Sequence, residues 1–406
     1  MSKLAKAMQR RSGEGREGAA VRLLMGASEA LARQFKEHVL QGLIDGAVRK
    51  ALGGQREGGG KAVPTPWSCR QCGPRLGNEL RRNGHYRRRP LTVEGPITLR
   101  IPQLVCLSCG KSVPFSHPLL PRRSRLWLDV EQRIAQLYLE GCSYRATRRL
   151  LERSCRSSIG LMSIWRSFQQ TGRRAHAPAA RPPARYLALD EVYHRVKGEK
   201  RWFLCVRAQD AAGNKHWVGS ALSKDRTQDS WDDALVRLGI SRYNPPFAVI
   251  SDGDDAIEGA VALALPGVKL NRCVWHLKHN AAEWIAKRYP DPEDADQRAA
   301  LMAAVHVIVD APTLDQRRQS LDALRPDFSW LARQLAAVLE RIGPKDDDHP
   351  VRTNNLCERG FRELRRRTRP MDGFGSDKGA SNFHLLWMFK ENARINGRDY
   401  LAEILP

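Results

Sequence analysis

Apolar residues recur at steps of three and four residues between Ala20 and Leu52, a period that predicts an amphipathic helix. We expect its apolar face either to pack on its own protein or to form a dimer. Residues 1–20, rich in Gly, Arg and Ser, predict a disordered basic tail, so residues 1–60 comprise this tail and the helix. The glycine-rich segment Gly53–Pro66 predicts a linker. The positions that set the helical period are Val21, Leu24, Leu31, Phe35, Val39, Leu40, Leu43 and Val48.

Three short helical patterns follow within residues 123–175. Asp129 is expected to cap the first helix, the second covers Tyr144–Leu151, and the third runs from Ser157 to near Gly172. Short helices joined by tight turns, with arginines on their polar faces, predict a helix-turn-helix DNA-binding domain. Other small helical bundles share this pattern, so that alternative stays open. The arginines expected to contact DNA here are Arg145, Arg148 and Arg149.

Strand and helix patterns alternate in the back half, after a proline-containing segment, His176–Arg185, that predicts a semi-rigid linker. The order βββαβαβα resembles that of the ribonuclease H-like fold, so we expect an α/β protein. Strand patterns cover Tyr186–Tyr193, Arg201–Arg207, Lys215–Ser220, Phe247–Ser251 and Val268–Val274. Helical patterns cover Thr227–Leu238, Ala256–Leu265, a segment from Trp275, and then Asn280–Tyr289, Gln297–Val309 and Leu314–Ile342.

Composition adds a charge asymmetry to this picture. The 406-residue chain has 68 Lys and Arg against 44 Asp and Glu, a net charge of +24. Up to Arg185 there are 35 basic and 12 acidic residues, whereas the rest of the chain has 33 and 32. A basic front half predicts contact with a polyanion, most often nucleic acid. No run of 18 uncharged apolar residues occurs and no apolar signal core follows Met1, so neither a membrane span nor secretion is expected.

Four of the nine cysteines form two Cys-x2-Cys pairs, Cys69 with Cys72 and Cys106 with Cys109, each followed by glycine. Two intervening residues let both thiolates of a turn bind one ion, and the glycine allows the positive φ that such a turn needs. We therefore expect a structural zinc ribbon over residues 61–122, built on a β-hairpin around Gly95-Pro96. The alternative is that two pairs of buried cysteines occur by chance.

Five arginines lie close together between the two cysteine pairs. A basic run held on a metal-fixed platform is suited to contact DNA phosphates. The alternative is a solvated basic loop without a ligand. The five residues are Arg81, Arg82, Arg87, Arg88 and Arg89.

Two aspartates occupy strands of the back half. Asp190 lies in the middle of the first predicted strand, and Asp252 follows the fourth. A carboxylate within an apolar strand is unfavourable unless it binds a cation, so this pair is suited to hold two magnesium ions for phosphodiester chemistry. The alternative is two salt-bridged strand-end aspartates. Rival ligands are Glu191, Asp254 and Asp255, of which the last two are expected to begin the following helix.

A third acid is expected from the helix that begins near Thr353. Glu358 lies one turn inside this helix, where it could reach the same ions, and Glu363 is the fallback acid. An ordinary ion pair between Glu358 and Arg362 is the competing interpretation. The arginines that continue along this helix as expected phosphate contacts are Arg362, Arg365 and Arg366.

Four motifs occur in a characteristic order: Asp190 in a strand, Ser251-Asp252-Gly253, Cys273-Val-Trp-His276, and Thr353-Asn-Asn-Leu-Cys-Glu358. Together they resemble the Mutator-type branch of DDE transposases, including those of bacterial insertion sequences, over roughly residues 186–396. The resemblance implies a ribonuclease H-like catalytic domain at residues 176–280 and 346–406, interrupted by an all-helical insertion at residues 281–345. It also implies that Asp190, Asp252 and Glu358 are the catalytic acids. Cys273 and His276 match the Cys-x2-His motif of the family near the site, with a structural, DNA-positioning or metal-binding role left open.

The resulting expectation is a transposase that cleaves and joins double-stranded DNA at the ends of a mobile element. It would use two Mg²⁺ or Mn²⁺ ions for catalysis and Zn²⁺ for structure. We expect a homodimer or larger assembly because two DNA ends must be joined, and a cytoplasmic, nucleoid-associated location. The alternatives are a DNA-binding regulator without catalytic activity and a nuclease that cuts without joining.

Overall fold

The computed structural model describes residues 3–53, 67–75, 79–115, 124–175, 184–344 and 351–403. Both predicted linkers lie almost entirely outside these described residues. The chain divides into two compact units, one that extends to Phe168 and one that covers Gln169–Glu403. Helices and strands are mixed throughout, which confirms the α/β expectation. Among the described helices, none combines the length and the apolar composition needed to cross a bilayer.

The first helix of the first unit, α1 (Lys3–Gly53), begins within the segment for which the sequence predicts disorder. Alanine, leucine, lysine, arginine and glutamate, all good helix formers, are frequent there and offset the glycines. Leu40, Ile44 and Val48 of α1 are buried in the core of this unit. That face of the helix therefore packs on its own protein.

A small antiparallel sheet packs against this face of α1. Arg100 donates its N–H to Gln41 Oε1 at 2.9 Å and accepts a bond from Gln41 Nε2 at 3.1 Å, which fixes the helix along the sheet. The expected hairpin is present, with Gly95 at a positive φ of 121°. Ile97, Leu99 and Ile101 alternate into the core as the pattern predicts. The strands are β1 (Ser68–Cys69), β2 (Gly73–Pro74), β3 (Leu80–Arg88), β4 (Leu91–Thr92), β5 (Gly95–Pro96), β6 (Leu99–Cys106) and β7 (Ser112–Val113).

Three helices complete the first unit: α2 (Leu128–Leu139), α3 (Tyr144–Cys155) and α4 (Leu161–Arg174), within which the boundary between the two units falls. The predicted cap is wrong, because α2 begins after Trp127 and the Asp129 carboxylate instead accepts a bond from Lys36 at 2.6 Å. The Asp129 side chain is therefore bound by Lys36, a residue of α1 that lies far away in the sequence.

The second unit contains a five-stranded sheet with the order β10-β9-β8-β11-β12. The first three strands of this unit, β8, β9 and β10, form an antiparallel meander, whereas β11 and β12 run parallel to each other and β11 runs parallel to β8. The carboxyl ends of β8 and β11 therefore point the same way. The strands are β8 (Tyr186–Val196), β9 (Glu199–Gln209), β10 (Lys215–Ser223), β11 (Ala248–Ser251) and β12 (Lys269–Arg272).

The helices of this unit follow the predicted order. The single pattern at Leu314–Ile342 is divided into two helices and a 3-10 turn, because Pro326 cannot continue a helix. The helical segment has its own core, to which α7 contributes from Val274 onward. The helices are α5 (Gln228–Arg237), α6 (Asp255–Ala264), α7 (Val274–Arg288), α8 (Ala295–Asp310), α9 (Leu314–Leu324), α10 (Ser329–Ala336), α11 (Asn355–Thr368), α12 (Asp377–Ile395) and α13 (Tyr400–Glu403).

Two buried histidines meet between the sheet and α12. The His194 and His384 rings have centroids 5.1 Å apart, and His384 stacks on Phe203 at 3.4 Å. Neither nitrogen of His384 has a hydrogen-bond partner among the described residues. Burial, with a smaller effect of Arg365, lowers the pKa of His194 to about 4.

The free energy of unfolding is expected to fall as the pH is lowered from 7 towards 4. The pKa of His194 is about 4 in the folded chain and about 6.5 in the unfolded chain, so the stabilisation is complete above pH 6.5 and is lost below it. This histidine alone accounts for about 3 kcal/mol at pH 4. Urea titrations at several pH values measure the loss. The His194→Phe protein should lose less stability over this range, and an identical pH dependence in both proteins would contradict this assignment.

Candidate functional site

Two predicted acids come from neighbouring parallel strands. Asp190 lies in β8, and Asp252 follows directly after β11. The paired register places Ile250 opposite Ala188, so two further residues along each strand place Asp252 level with Asp190. Gly253 then turns the chain at a φ of 89°, and its carbonyl accepts a bond from Arg272 at 3.0 Å.

The third acid is placed by the way in which α11 contacts the middle of β8. Asn354 Nδ2 donates to Leu189 O at 3.1 Å, and the Cys357 thiol donates to Ala188 O at 3.5 Å. Gly360 permits the close approach of the helix, because a Cβ there would lie 2.2 Å from Trp217. Glu358, in the first turn of α11, consequently lines the same cavity as Asp190, with a volume of about 410 Å³.

The negative charges of the three acids repel one another. Burial raises the pKa of Asp190 well above its usual range, and the charges of Glu191, Asp252 and Glu358 raise it further. Glu358 Oε1 is buried and has no hydrogen-bond partner among the described residues. Among the described residues, no lysine or arginine forms an ion pair with Asp190, Asp252 or Glu358, and the one basic side chain within 4 Å of them is His276, beside Glu358.

The rival acids have partners elsewhere. Arg226 Nη1 lies 2.7 Å from the Glu191 carboxylate and 3.5 Å from that of Asp254. Asp254 also caps α6 by accepting from Ala256 N, as the sequence predicts for the start of this helix. The fallback acid Glu363 pairs with an arginine one turn away and lines a different cavity. Asp255 lies exposed in the first turn of α6.

Cys273 and His276 occupy different environments. The Cys273 thiol accepts a hydrogen bond from Asn354 N at 3.1 Å, so it joins the start of α7 to the start of α11. His276 lines the cavity, with Nε2 3.5 Å from Glu358 Oε1. Burial lowers the pKa of His276, although Asp252 and Glu358 oppose this shift. Cys273 thus positions the helix that carries Glu358, while His276 faces the acids themselves.

The four predicted zinc ligands converge in the first unit. Cys69, Cys72, Cys106 and Cys109 have sulfur atoms that all lie within 4.8 Å of one another, and Cys69 Sγ is 3.4 Å from Cys109 Sγ. A tetrahedral zinc site has sulfur atoms about 3.8 Å apart, so this donor set fits such an ion. Backbone N–H groups of Gln71 and Cys72 lower the pKa of the Cys69 thiol to about 6. The cluster can therefore hold a metal such as zinc.

Among the described residues, the four cysteines form a group whose ligand atoms all lie within 4.8 Å of one another, whereas Asp190, Asp252 and Glu358 do not form such a group.

Most of the predicted DNA-binding arginines are exposed. Arg88 is the exception on β3, because it is half-buried and donates to Ser124 O at 2.9 Å. Arg148 on α3 is half-exposed and lies 3.7 Å from Glu152. Trp275 and Arg369, which the sequence reasoning missed, also line the cavity of Glu358. The exposed arginines are Arg81, Arg82, Arg87 and Arg89, then Arg145 and Arg149, then Arg362, Arg365 and Arg366, of which the last three line that cavity.

Comparison with known proteins shows the family of this chain. The family model described as "Transposase, Mutator family" matches residues 72–393, so the chain belongs to the Mutator family of transposases. It is 24% identical over 352 residues to the transposase for insertion sequence element ISRM5 of Rhizobium meliloti, which covers 83% of this chain and 81% of that protein. It is 26% identical over 304 residues to the transposase for IS406 of Burkholderia multivorans. The matched region covers 71% of this chain and 75% of that protein. The transposase for IS905 of Lactococcus lactis is 23% identical over 333 residues. The matched region covers 78% of this chain and 82% of that protein.

Proposed function

We propose that this protein cleaves DNA at the ends of an insertion sequence and joins those ends to a target by DDE chemistry. The observation that carries this proposal is the meeting of Asp190, Asp252 and Glu358, from two strands and a helix, without a lysine or arginine partner among the described residues. The sheet order, with an antiparallel meander followed by parallel strands, supports a ribonuclease H-like core. Membership of a transposase family supports the same activity.

The three acids fit divalent cations. Partly buried carboxylate oxygens without a lysine or arginine partner suit Mg²⁺ or Mn²⁺, and a cation would relieve the repulsion from Glu191, Asp252 and Glu358 that helps to raise the pKa of Asp190. When bound, two such ions would activate the attacking hydroxyl and stabilise the leaving oxygen of an in-line displacement. Asp190, Asp252 and Glu358 would hold these ions.

The remaining cavity residues would act on the DNA itself. His276 is held close to neutral by burial, so it can donate a hydrogen bond to a phosphate oxygen near Glu358 without adding a full charge. Three exposed arginines on successive turns of α11 would bind the phosphates that flank the scissile bond. They are Arg362, Arg365 and Arg366.

The first unit would bind the ends of the element. The cysteine cluster would hold a structural zinc ion, and the basic strand β3 beside it would contact phosphates. Helices α2 to α4 would act as a helix-turn-helix that contacts bases in the major groove. Because two ends must be brought together, the active form would be a dimer or a larger assembly.

A strand-transfer assay tests this function and separates it from its alternatives. Labelled duplexes carrying the element ends are incubated with purified protein, a plasmid target and Mg²⁺. Joined products are the expected result. Cleavage without joining would instead indicate a nuclease, and end-binding without cleavage would indicate a DNA-binding regulator, and either result would overturn the proposal.

A further inference from the structure

A second cavity lies against a different face of α11 from the one that carries Glu358. Its volume is about 420 Å³, and it is lined by four basic side chains together with the first residues of the helix. Glu363, the fallback acid, is the one lining residue of this cavity that the sequence analysis names as a candidate site residue. The four basic residues are Arg207, Lys215, Arg359 and Arg394.

The helix end in this cavity has free donors. Asn354 is the N-cap residue of α11, but its side chain makes no capping bond and is directed to Leu189 O instead. Asn355 and Leu356 line the cavity, and their N–H groups have no acceptor among the described residues. Unpaired N–H groups at a helix N-terminus, combined with the helix dipole, favour a bound anion.

A buried arginine independently indicates a ligand. Arg207 is only 8% exposed, donates through Nη1 to Leu356 O, and lies over the Trp217 ring at 5.0 Å. Its Nε atom is buried and has no hydrogen-bond partner among the described residues. Arg207 lines the cavity, and leaving a guanidinium donor unpaired in a buried position is costly, so an anionic acceptor beside this side chain is favoured.

The acidic side chains that line the cavity do not cancel this charge. Glu391 accepts from Arg394 at 2.8 Å, and Glu363 is paired at 2.5 Å with Arg366, which lies outside the cavity. Lys215 and Arg359 are both exposed, and no described carboxylate lies within 4.0 Å of either. The cavity is therefore a basic depression with uncompensated donors.

We propose that this cavity binds a phosphate group of the DNA backbone, separately from the cavity that contains the acids. The proposal rests on the proposed function only in naming DNA as the polyanion. Helix α11 would then contact DNA through two faces: Glu358 and its arginines at the reacting strand, and the N-terminus with Arg359 at a second phosphate. Such a contact fixes the orientation of the duplex relative to the reacting strand.

The double variant Arg359→Gln/Lys215→Gln tests this site, because both side chains are exposed and neither supports the core. Fluorescence anisotropy with an element-end duplex at 50–200 mM NaCl is expected to show weaker binding. The slope of log affinity against log salt should become shallower by about 1 to 2, since each lost phosphate contact contributes about 0.9. The matched control is Arg237→Gln/Lys269→Gln, which removes two exposed charges of the same unit and should leave the slope unchanged.

Inorganic phosphate distinguishes a DNA contact from a site for a small free anion. If millimolar phosphate raises the Tm of the wild-type protein but not of the double variant, while both proteins keep the same DNA slope, the cavity binds free anions and the DNA assignment is overturned. An unchanged slope without a phosphate effect removes the site altogether. Strand transfer by the wild-type protein is measured in parallel, so loss of the proposed function is recognised separately from loss of this contact.

Discussion

The Asp190→Asn and Glu358→Gln proteins are expected to lose strand transfer by at least about 10³-fold. Each substitution keeps the shape of the side chain but removes the charge that would hold a divalent cation, and both residues line the same cavity. Binding to element ends should change much less than joining, because the residues proposed to bind those ends lie in the first unit and keep their charges in both variants. Gel-based strand transfer and anisotropy measure the two properties independently.

Glu363→Gln is the matched control for Glu358→Gln, since the two glutamates lie on the same helix and Glu363 is paired with Arg366. This control should retain joining. If Asp190→Asn still joined DNA, or if Glu363→Gln abolished joining as completely as Glu358→Gln, the assignment of the three acids would be wrong.

The Asp190→Asn substitution should also raise the Tm in metal-free buffer. It removes a buried charge that is repelled by Glu191, Asp252 and Glu358. A gain in stability together with a loss of activity is expected of an acid kept for its function. A lower Tm for the variant would show that the Asp190 carboxylate supports the fold.

Loss of the cysteine cluster has the second largest expected effect. The Cys106→Ser substitution replaces a fully buried sulfur that lies in the core with Leu80 and Leu104, so we expect zinc to be lost and the sheet around β6 to unfold. Affinity for element ends should fall at least about tenfold, because β3 holds its arginines through pairing with β6. Zinc stoichiometry by mass spectrometry and DNA binding by anisotropy measure these losses.

Cys142→Ser is the control, because Cys142 is only partly buried and lies outside the cluster. It should keep both zinc and DNA affinity. Full DNA affinity in the Cys106→Ser protein, or in wild-type protein stripped of zinc by a chelator, would contradict the proposed role of this sheet in DNA binding.

Local patterns in the sequence were sufficient for much of the fold. The alternation of Ile97, Leu99 and Ile101 predicts a strand with one buried face, and all three side chains are buried. The cysteine spacing predicts a cluster of four sulfur atoms, and these atoms do lie close together. Such features depend only on the period of a strand or the geometry of a turn. The order of elements in the second unit follows from the same kind of signal.

Contacts between distant parts of the chain could not be predicted in this way. Asp129 is a residue type that often caps helices, and it lies near the start of α2. Its carboxylate nevertheless binds Lys36 on another helix. Asp190 and Glu191 are neighbours with side chains on opposite faces of β8, and only the position of Arg226 shows which one is already paired. The bond from Asn354 to Leu189, which sets the position of Glu358, joins residues 165 positions apart.

Manganese binding tests most directly whether the three acids form a cation site. Zinc-loaded protein is titrated with Mn²⁺, and the EPR signal of free Mn²⁺ reports how much is bound. We expect saturable binding to the wild-type and Glu363→Gln proteins and a marked loss of binding in each of Asp190→Asn, Asp252→Asn and Glu358→Gln. Equal Mn²⁺ binding by the wild-type protein and all three variants would contradict the assignment of Asp190, Asp252 and Glu358 as the metal ligands of the transposase.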